Sequence, residues 1–516
     1  MKKNVFLILL FFTNIIQTFS QEKYWLVFKD KDNFQKPAIS EKAIENRKRN
    51  KQEVYQWTDL PIKAQYLAEL AKREIYPVNK SRWFNSVSVL LNHDQLSTVR
   101  QLPFIKEIVS INKHYLVTNS IGEPETDLRV DMALNQVGIS YFLADSLTAK
   151  GITIGVIDAG YYGAKDAVSL KHLFAKDAIL GIKDFVNPSK KEHFTKKESN
   201  SDFHGTEVLN AIAGKNEREN IQFGLATDAK FYLTRTDSGN KEFRGEEDNW
   251  IAAVEWLDSL GVRIINTSLG YTKGFTNPAE NYKPSDMNGS TSLIARAAKM
   301  AVDQKGLLLV VSAGNEGDDK NWRIISTPAD VDGVLAVGAT QENGLKIGYS
   351  SIGPEFLNYT KPDVACYSLF GTSLAAPIIT GFMACLMEAN GELPNKQLID
   401  IIKKSSSLYP YSNNYLGNGI PNAGRALTLL KGKEDDKVVK IIEVDSTQNE
   451  VEINLEYVSN EMSVFYKKND TIVLSQEHLD LKSPNFVMKR NPAIKETTLA
   501  TKQEVIEVKW QDKKLP

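Results

Sequence analysis

Four short stretches carry residue types that could do chemistry together. Gly371-Thr372-Ser373-Leu374-Ala375-Ala376-Pro377 sets a serine among small residues, ahead of an apolar helical run from Ile378 to Met387. Thr372 is expected to cap that helix, and Pro377 is tolerated in a first turn. A serine there meets orphan N–H groups and the positive end of the helix dipole, which favour developing negative charge. To act as a nucleophile it also needs a base and an orienting carboxylate, both supplied from elsewhere in the chain. Asp158 follows the β-branched run Ile152 to Ile157. His204 opens a helical run in Asp202-Phe203-His204-Gly205-Thr206-Glu207, and the other five histidines have no comparable setting. Asn315 lies in Ser312-Ala313-Gly314-Asn315-Glu316-Gly317, directly after an apolar strand, where a side-chain amide suits a developing oxyanion. Each has a plainer reading: Asp and Asn as turn residues, Ser as a cap, His as a structural or exposed residue. Four of them in order, each at a strand end or helix start, outweigh those separate readings.

The elements that must position them follow a simple rhythm. Ile152 to Ile157, Phe231 to Thr234, Val262 to Asn266, Leu307 to Ser312 and Val334 to Val337 are short apolar strands. Helical patterns lie between them, at Glu207 to Ala213, Glu246 to Leu260 and Ser292 to Gln304. Such alternation implies an α/β fold, a mainly parallel sheet with helices on both faces. Active sites in such sheets gather at the carboxyl ends of the strands.

On either side the character changes. Residues 21 to about 120 read as a small α+β unit. Its strands are expected at Tyr24 to Phe28, Trp83 to Leu91 and Ile105 to Val117. Its helices are expected at Ile39 to Asn50, opened by Ser40, at Ile62 to Glu74, and at Asp94 to Leu102, capped by Asp94. Asn119 to Pro124 reads as an exposed linker. Residues 437 to 516 read as a small all-β module, with strands at Lys437 to Val444, Glu450 to Tyr457, Met462 to Tyr466, Thr471 to Ser475 and Glu504 to Trp510. The charged stretch Lys431 to Asp436 marks its boundary.

Composition narrows the class. The chain of 516 residues is 42% hydrophobic with a net charge of -1, and it has no basic stripe interleaved with aromatics, so a nucleic-acid partner is not expected. Two cysteines, Cys366 and Cys385, cannot form a disulfide framework. They are either two buried thiols or one disulfide, which export would permit. Export is expected from the first 20 residues: Lys2 and Lys3 precede an apolar run from Val5 to Phe19, interrupted by Thr13 and Asn14. This reads as a signal peptide cut after Ser20, with no cysteine following to carry a lipid. No later stretch reads as long and apolar enough to span a bilayer.

The order Asp158, His204, Asn315, Ser373 resembles the subtilisin-like serine proteases, or subtilases, for which this triad order is a known example. The resemblance covers about residues 130 to 430. Asn266-Thr267-Ser268-Leu269-Gly270 is similar to the family's substrate-binding strand, with Ser268, Leu269 and Gly270 facing Gly314 across the cleft. Thr327-Pro328-Ala329, Ala336 to Ala339 and Lys361 to Ala365 are similar to family core segments. The resemblance implies a secreted or cell-surface serine endopeptidase. Ser373 attacks, His204 transfers the proton, Asp158 orients the imidazole, and Asn315 with the Ser373 N–H holds the oxyanion. Losing one such donor costs roughly 2.7–4 kcal/mol, a figure that comes from a member of this same family. The substrates implied are proteins or peptides. No cofactor is needed for the chemistry; structural calcium is frequent in the family and stays open here, with no site placed. Residues 21–120 resemble the family's propeptide, an intramolecular inhibitor, against the alternative of a permanent accessory domain. The cut is expected between Val117 and Asp127. The organisation implied is a signal peptide at 1–20, a propeptide at 21–120, a catalytic domain at 125–430 and a β-rich domain at 437–516.

Two departures from the family stand out. Only Cys366 to Phe370 separate Lys361–Ala365 from Gly371, where relatives have a longer connection, so the expectation is either a more open leaving-group side or a less firmly held serine. Glu207 and Leu209-Asn210 replace smaller residues after His204; Glu207 either favours protonated His204 or, as the preferred reading, points to solvent. The short approach motivates one alternative function, a catalytically silent subtilase-fold protein that binds peptides or surfaces. The C-terminal module motivates another, an adhesin.

Overall fold

The computed structural model describes residues 21–31, 37–111, 130–199, 201–238, 246–273 and 281–511. The expected signal peptide, the linker at 119–124 and the expected cut between Val117 and Asp127 lie outside the described residues.

Strands β1 (Glu22–Phe28), β2 (Pro77–Ser81), β3 (Ser86–Leu91) and β4 (Ile105–Ile111) form an antiparallel sheet in the order β2-β3-β1-β4. It carries α1 (Glu41–Arg49), α2 (Ala64–Ala71) and α3 (His93–Val99). Ser40 caps α1 as expected, accepting from the Ala43 N–H. Asp94 does not cap α3: Asn92 does, in a reciprocal capping box with Gln95, and Asp94 lies in the first turn. Trp83 to Asn85, read as strand, form a turn before β3.

The largest unit starts with α4 (Val130–Gln136) and α5 (Ile139–Ala144). It then alternates β5 (Thr153–Asp158), α6 (Lys171–Ala175), β6 (Ile179–Asp184), α7 (His204–Ala213), a small hairpin of β7 (Lys215–Asn216) and β8 (Ile221–Gln222), β9 (Lys230–Arg235), α8 (Glu247–Ser259), β10 (Ile264–Thr267), α9 (Leu293–Lys305), β11 (Leu308–Ser312), β12 (Leu335–Thr340), β13 (Val364–Tyr367) and α10 (Thr372–Ala389). Helices α11 (Asn395–Ser405) and α12 (Ala423–Leu430) close it. Seven strands form one parallel sheet in the order β13-β12-β11-β10-β5-β9-β6. This is the expected α/β fold. Alternate strand residues enter two cores: Ile154, Val156, Leu308 and Val310 pack with α7 and α10 on one face, while Ile157, Ile265, Leu309 and Val311 pack with α8 and α9 on the other. Because both faces are covered, the central strands are dominated by apolar residues rather than by strict alternation. One helix among the described residues, α10, is long and apolar enough to cross a membrane, which corrects the expectation that no later stretch is. It is the central core helix, with Phe382 fully buried edge-on against Phe142 at 4.9 Å. Burial of a side chain of that size stabilises by about 1.5–3 kcal/mol.

The C-terminal unit pairs β14 (Val438–Val444), β20 (Glu504–Trp510), β19 (Glu496–Ala500), β16 (Glu461–Lys467) and β17 (Val473–Asp480) in that spatial order, beside a two-stranded sheet of β15 (Glu450–Asn454) and β18 (Asn485–Lys489). Cys366 and Cys385 are both free and buried, so the two-thiol reading holds.

Candidate active site

Asp158 is the last residue of β5 rather than the residue after it, and it is fully buried. Its neighbour in register on β9 is Arg235. The Arg235 Nε–H donates to the Ala159 carbonyl at 2.9 Å, and the guanidinium meets Asp184, Glu198 and Asp202. These bonds fix the chain on both sides of the strand end: the turn after Asp158 and the segment leading to His204. Asp158 Oδ1 accepts from the Ala159 N–H at 2.8 Å and lies 2.7 Å from His204 Nδ1.

His204 is the first residue of α7. The helix reaches Asp158 because Gly205 has no side chain: a Cβ there would sit 2.8 Å from the Tyr161 ring and 3.1 Å from Asp158 Cβ. Burial alone would pull the His204 pKa down. The charge and hydrogen bond of Asp158, with the charges of Glu207 and Asp237, outweigh it and raise the value to about 9. Glu207 does not point to solvent: it is half-buried one turn from His204, its own pKa raised by burial.

Ser373 is the second residue of α10, so its N–H has no intrahelical partner. Thr372 is not the cap. Gly371 holds that position at φ 113°, a conformation that favours glycine. Thr372 instead turns inward: its N–H and Oγ1 donate to Asn315 Oδ1 at 2.9 and 3.0 Å, and its Oγ1 accepts from the Gly314 N–H at 3.1 Å. The Asn315 side chain is thereby oriented with Oδ1 occupied. Asn315 is exposed, and its Nδ2 makes no hydrogen bond among the described residues. The Ser373 hydroxyl donates to the Ser268 carbonyl at 3.3 Å, and Ser268 Oγ donates back to the Ser373 carbonyl at 2.8 Å. No hydrogen bond joins Ser373 to His204 in this state; such bonds are often loose before substrate binds.

Ser268, Leu269 and Gly270 continue from β10, and Gly314 continues from the adjacent β11. Gly314 has φ 110°, and a Cβ there would come within 2.7 Å of Glu316 Oε2 and 3.2 Å of Ser326 Oγ. Ser326 Oγ also fills the place a side chain on Gly270 would need. The two strand ends therefore converge on one buried hydroxyl, which has no hydrogen-bond partner.

All eight residues singled out in the sequence thus lie at the carboxyl ends of three neighbouring strands, β5, β10 and β11, and at the starts of α7 and α10. Sequence reasoning missed Arg235 and Ser326. Arg235 left one signal, a cation closing the strand Lys230–Arg235; Ser326 left none. Among the described residues no group of three or more His, Cys, Asp or Glu could hold a metal ion.

Comparison with known proteins finds relatives of this chain. A model described as the subtilase family matches residues 149–419, and one described as the peptidase S8 propeptide domain of Bacteroidota matches residues 23–124. Subtilisin DY of Bacillus licheniformis is 26% identical over 306 residues, covering 56% of this chain and 97% of that protein. A thermostable alkaline protease of Halalkalibacterium halodurans is 25% identical over 364 residues, covering 68% of this chain and 87% of that protein. Among solved structures, fervidolysin of Fervidobacterium pennivorans, a keratinolytic enzyme related to subtilisin, is similar with a TM-score of 0.53 at 16% identity, covering 93% of this chain and 71% of that one. An epidermin leader peptide processing serine protease of Staphylococcus aureus is similar with a TM-score of 0.56 at 16% identity, covering 80% of this chain and 100% of that one. At that identity the two structures speak for the fold alone.

Proposed function

The chain belongs to the subtilase family, and from that premise we propose that it is an exported serine endopeptidase working through Asp158, His204 and Ser373. The observation that carries the proposal is the Asp158–His204 contact of 2.7 Å at the strand end beside the Ser373 helix. A peptide lies extended along Ser268, Leu269 and Gly270, opposite Gly314. Ser373 Oγ leaves the Ser268 carbonyl, attacks the scissile carbonyl carbon and passes its proton to His204 Nε2. Asp158 holds the Nδ1–H tautomer and stabilises the imidazolium. The tetrahedral oxyanion takes hydrogen bonds from Asn315 Nδ2 and the Ser373 N–H. As it collapses, His204 gives the proton to the leaving amine, and an acyl group remains on Ser373. Water, deprotonated by His204, then releases the acid and restores the hydroxyl. Residues 21–120 act as the inhibitor of the uncut chain, and the mature protein works outside the cell or on its surface. These steps use this chain's own residues with no cofactor; a structural calcium remains open.

Casein hydrolysis by the secreted wild-type chain, compared with Ser373→Ala, tests the proposal. Equal hydrolysis by both would defeat it. The hydrogen bond from Ser373 to Ser268 favours one second reading, a peptide-binding protein without turnover. A protein that retains casein and leaves it intact would support that reading.

A further inference from the structure

Lys346 is buried, and its ammonium is met by carbonyls. Its Nζ donates to Ile347, Gly348 and Ser350 at 2.9, 2.8 and 2.9 Å. These bonds tie residues 347–351 into one turn. The turn touches both halves of the candidate site. On one side the Gly317 N–H donates to the Tyr349 carbonyl at 2.7 Å, the Ser351 N–H to Gly314 at 3.1 Å and the Glu316 N–H to Ser351 Oγ at 3.0 Å. Those bonds bracket Asn315. On the other side the Tyr349 hydroxyl donates to the Ser368 carbonyl at 2.6 Å, and Ser368 Oγ donates to the Gly371 carbonyl at 2.7 Å. Gly371 lies two residues before Ser373. One turn therefore sets the spacing between the amide donor and the nucleophile, and it supports the short approach from Cys366 to Phe370.

The lysine is itself gripped from the C-terminal unit. The Lys346 N–H donates to Gln476 Oε1 at 3.0 Å, and Gln476 Nε2 donates to the Lys346 carbonyl at 2.8 Å. Gln476 lies on β17 and engages the Lys346 backbone as a paired strand would. Beside it, Leu345 and Leu416 of the large unit share a buried cluster with Phe465 and Val473 of the C-terminal unit. Removing that unit would open this cluster to water and release Lys346.

We infer that Lys346 is a positioning residue for Asn315 and Ser373, and that the C-terminal β unit, through Gln476, is a working part of the mature enzyme rather than a detachable appendage. This rests on the protease reading of the site. Displacing catalytic groups by about 1 Å can cost on the order of a hundredfold in rate.

The test uses the full secreted chain with Gln476→Leu, Lys346→Met and Lys346→Arg. Active sites are counted by labelling to saturation with a serine-directed fluorophosphonate. Turnover per labelled site and KM are then measured on a peptide anilide, with melting temperature alongside. A purely structural role lowers the labelled fraction or the melting temperature and leaves turnover per site alone. The expected result is a fall in kcat per labelled site of fivefold or more in Gln476→Leu and Lys346→Met, KM within threefold, and partial recovery in Lys346→Arg. A smaller fall in kcat per site in Gln476→Leu overturns the inference, and that variant carries the test if Lys346→Met fails to fold. A wild-type chain that does not label at Ser373 overturns the protease reading itself, and this inference with it.

Discussion

Replacing Lys305 with methionine is expected to loosen the N-terminal unit without touching the chemistry. Lys305 ends α9 and is fully buried. Its Nζ donates to Gln56 Oε1 at 2.9 Å, Thr58 Oγ1 at 2.6 Å and Asp59 Oδ1 at 2.8 Å, all in the N-terminal unit. Asp59 is also held by Arg47 at 2.6 and 3.0 Å, and Arg47 reaches Asp258 on α8 at 3.1 Å. Two cations and two carboxylates thus balance across the contact. Methionine fills similar space but leaves one uncompensated negative charge. Removing one partner of a buried pair costs about 3–5 kcal/mol, and each 1.4 kcal/mol is about tenfold in affinity. The inhibition constant of the cleaved N-terminal unit for the mature enzyme should rise roughly 100- to 3,000-fold. Arg47 still neutralises Asp59, which favours the lower end. Titrating the purified unit against mature wild-type and Lys305→Met enzymes measures the change, and uninhibited activity should match, because this contact faces water once the unit has left. Adding Asp59→Asn to the inhibitor should recover part of the loss. An inhibition constant within about threefold of wild type would mean that Lys305 does not hold the N-terminal unit in place.

Three other outcomes follow from the same geometry. His204 must be neutral to act as base, and its surroundings raise its pKa to about 9, so kcat/KM should rise with pH through that value and Glu207→Gln should move the midpoint down; a midpoint at an ordinary histidine value would contradict this. Gly371→Ala puts a side chain at φ 113° and 3.4 Å from Asn315 Nδ2, so it should lower turnover per labelled site and cost about 1–3 kcal/mol of stability in a thermal or denaturant melt; an unchanged rate and melt would count against the assigned geometry. Burial raises Glu255 to about 7 and Asp258 to about 6, and their hydrogen-bond partners Ser81 and Arg47 belong to the N-terminal unit. Carboxyls raised in this way bind extra protons in the complex, so inhibition should be strongest at low pH and weaken as pH rises from about 5 to 7. A flat series of inhibition constants over that range would remove these two groups from the account.

How much was legible depended on whether the cause was local. The central strands announced themselves because both faces are covered, which leaves Ile264-Ile265 and Leu308 to Val311 as apolar runs. Ile179–Asp184 and Val364–Tyr367 were missed because they are the sheet's edges, where glycine and lysine are tolerated or four residues suffice. In the C-terminal unit, Asn485–Lys489 and Glu496–Ala500 were missed because their polar residues break the apolar signal. The placement of the candidate site was legible because each motif couples its candidate residue to nearby small residues that let segments approach, as Gly205 does for His204. Thr372 misled because cap preference is a local rule, while its side chain is drawn inward by Asn315, 57 residues away. Glu207 was misjudged for a similar reason: its burial arises only in the folded chain, where Asp158 of another strand also acts on it. Arg235, Ser326, and the pairing of Lys346 with Gln476 across 130 residues exist only once the chain has folded.

Everything proposed for the site depends on Ser373 being a nucleophile activated by His204. Intact and peptide-level mass spectrometry after fluorophosphonate treatment reads this out. A single adduct is expected on Ser373 in the mature wild-type chain, none in Ser373→Ala, and labelling slowed by orders of magnitude in His204→Ala. An unlabelled wild type, or labelling of Ser373 at the same rate without His204, would contradict it.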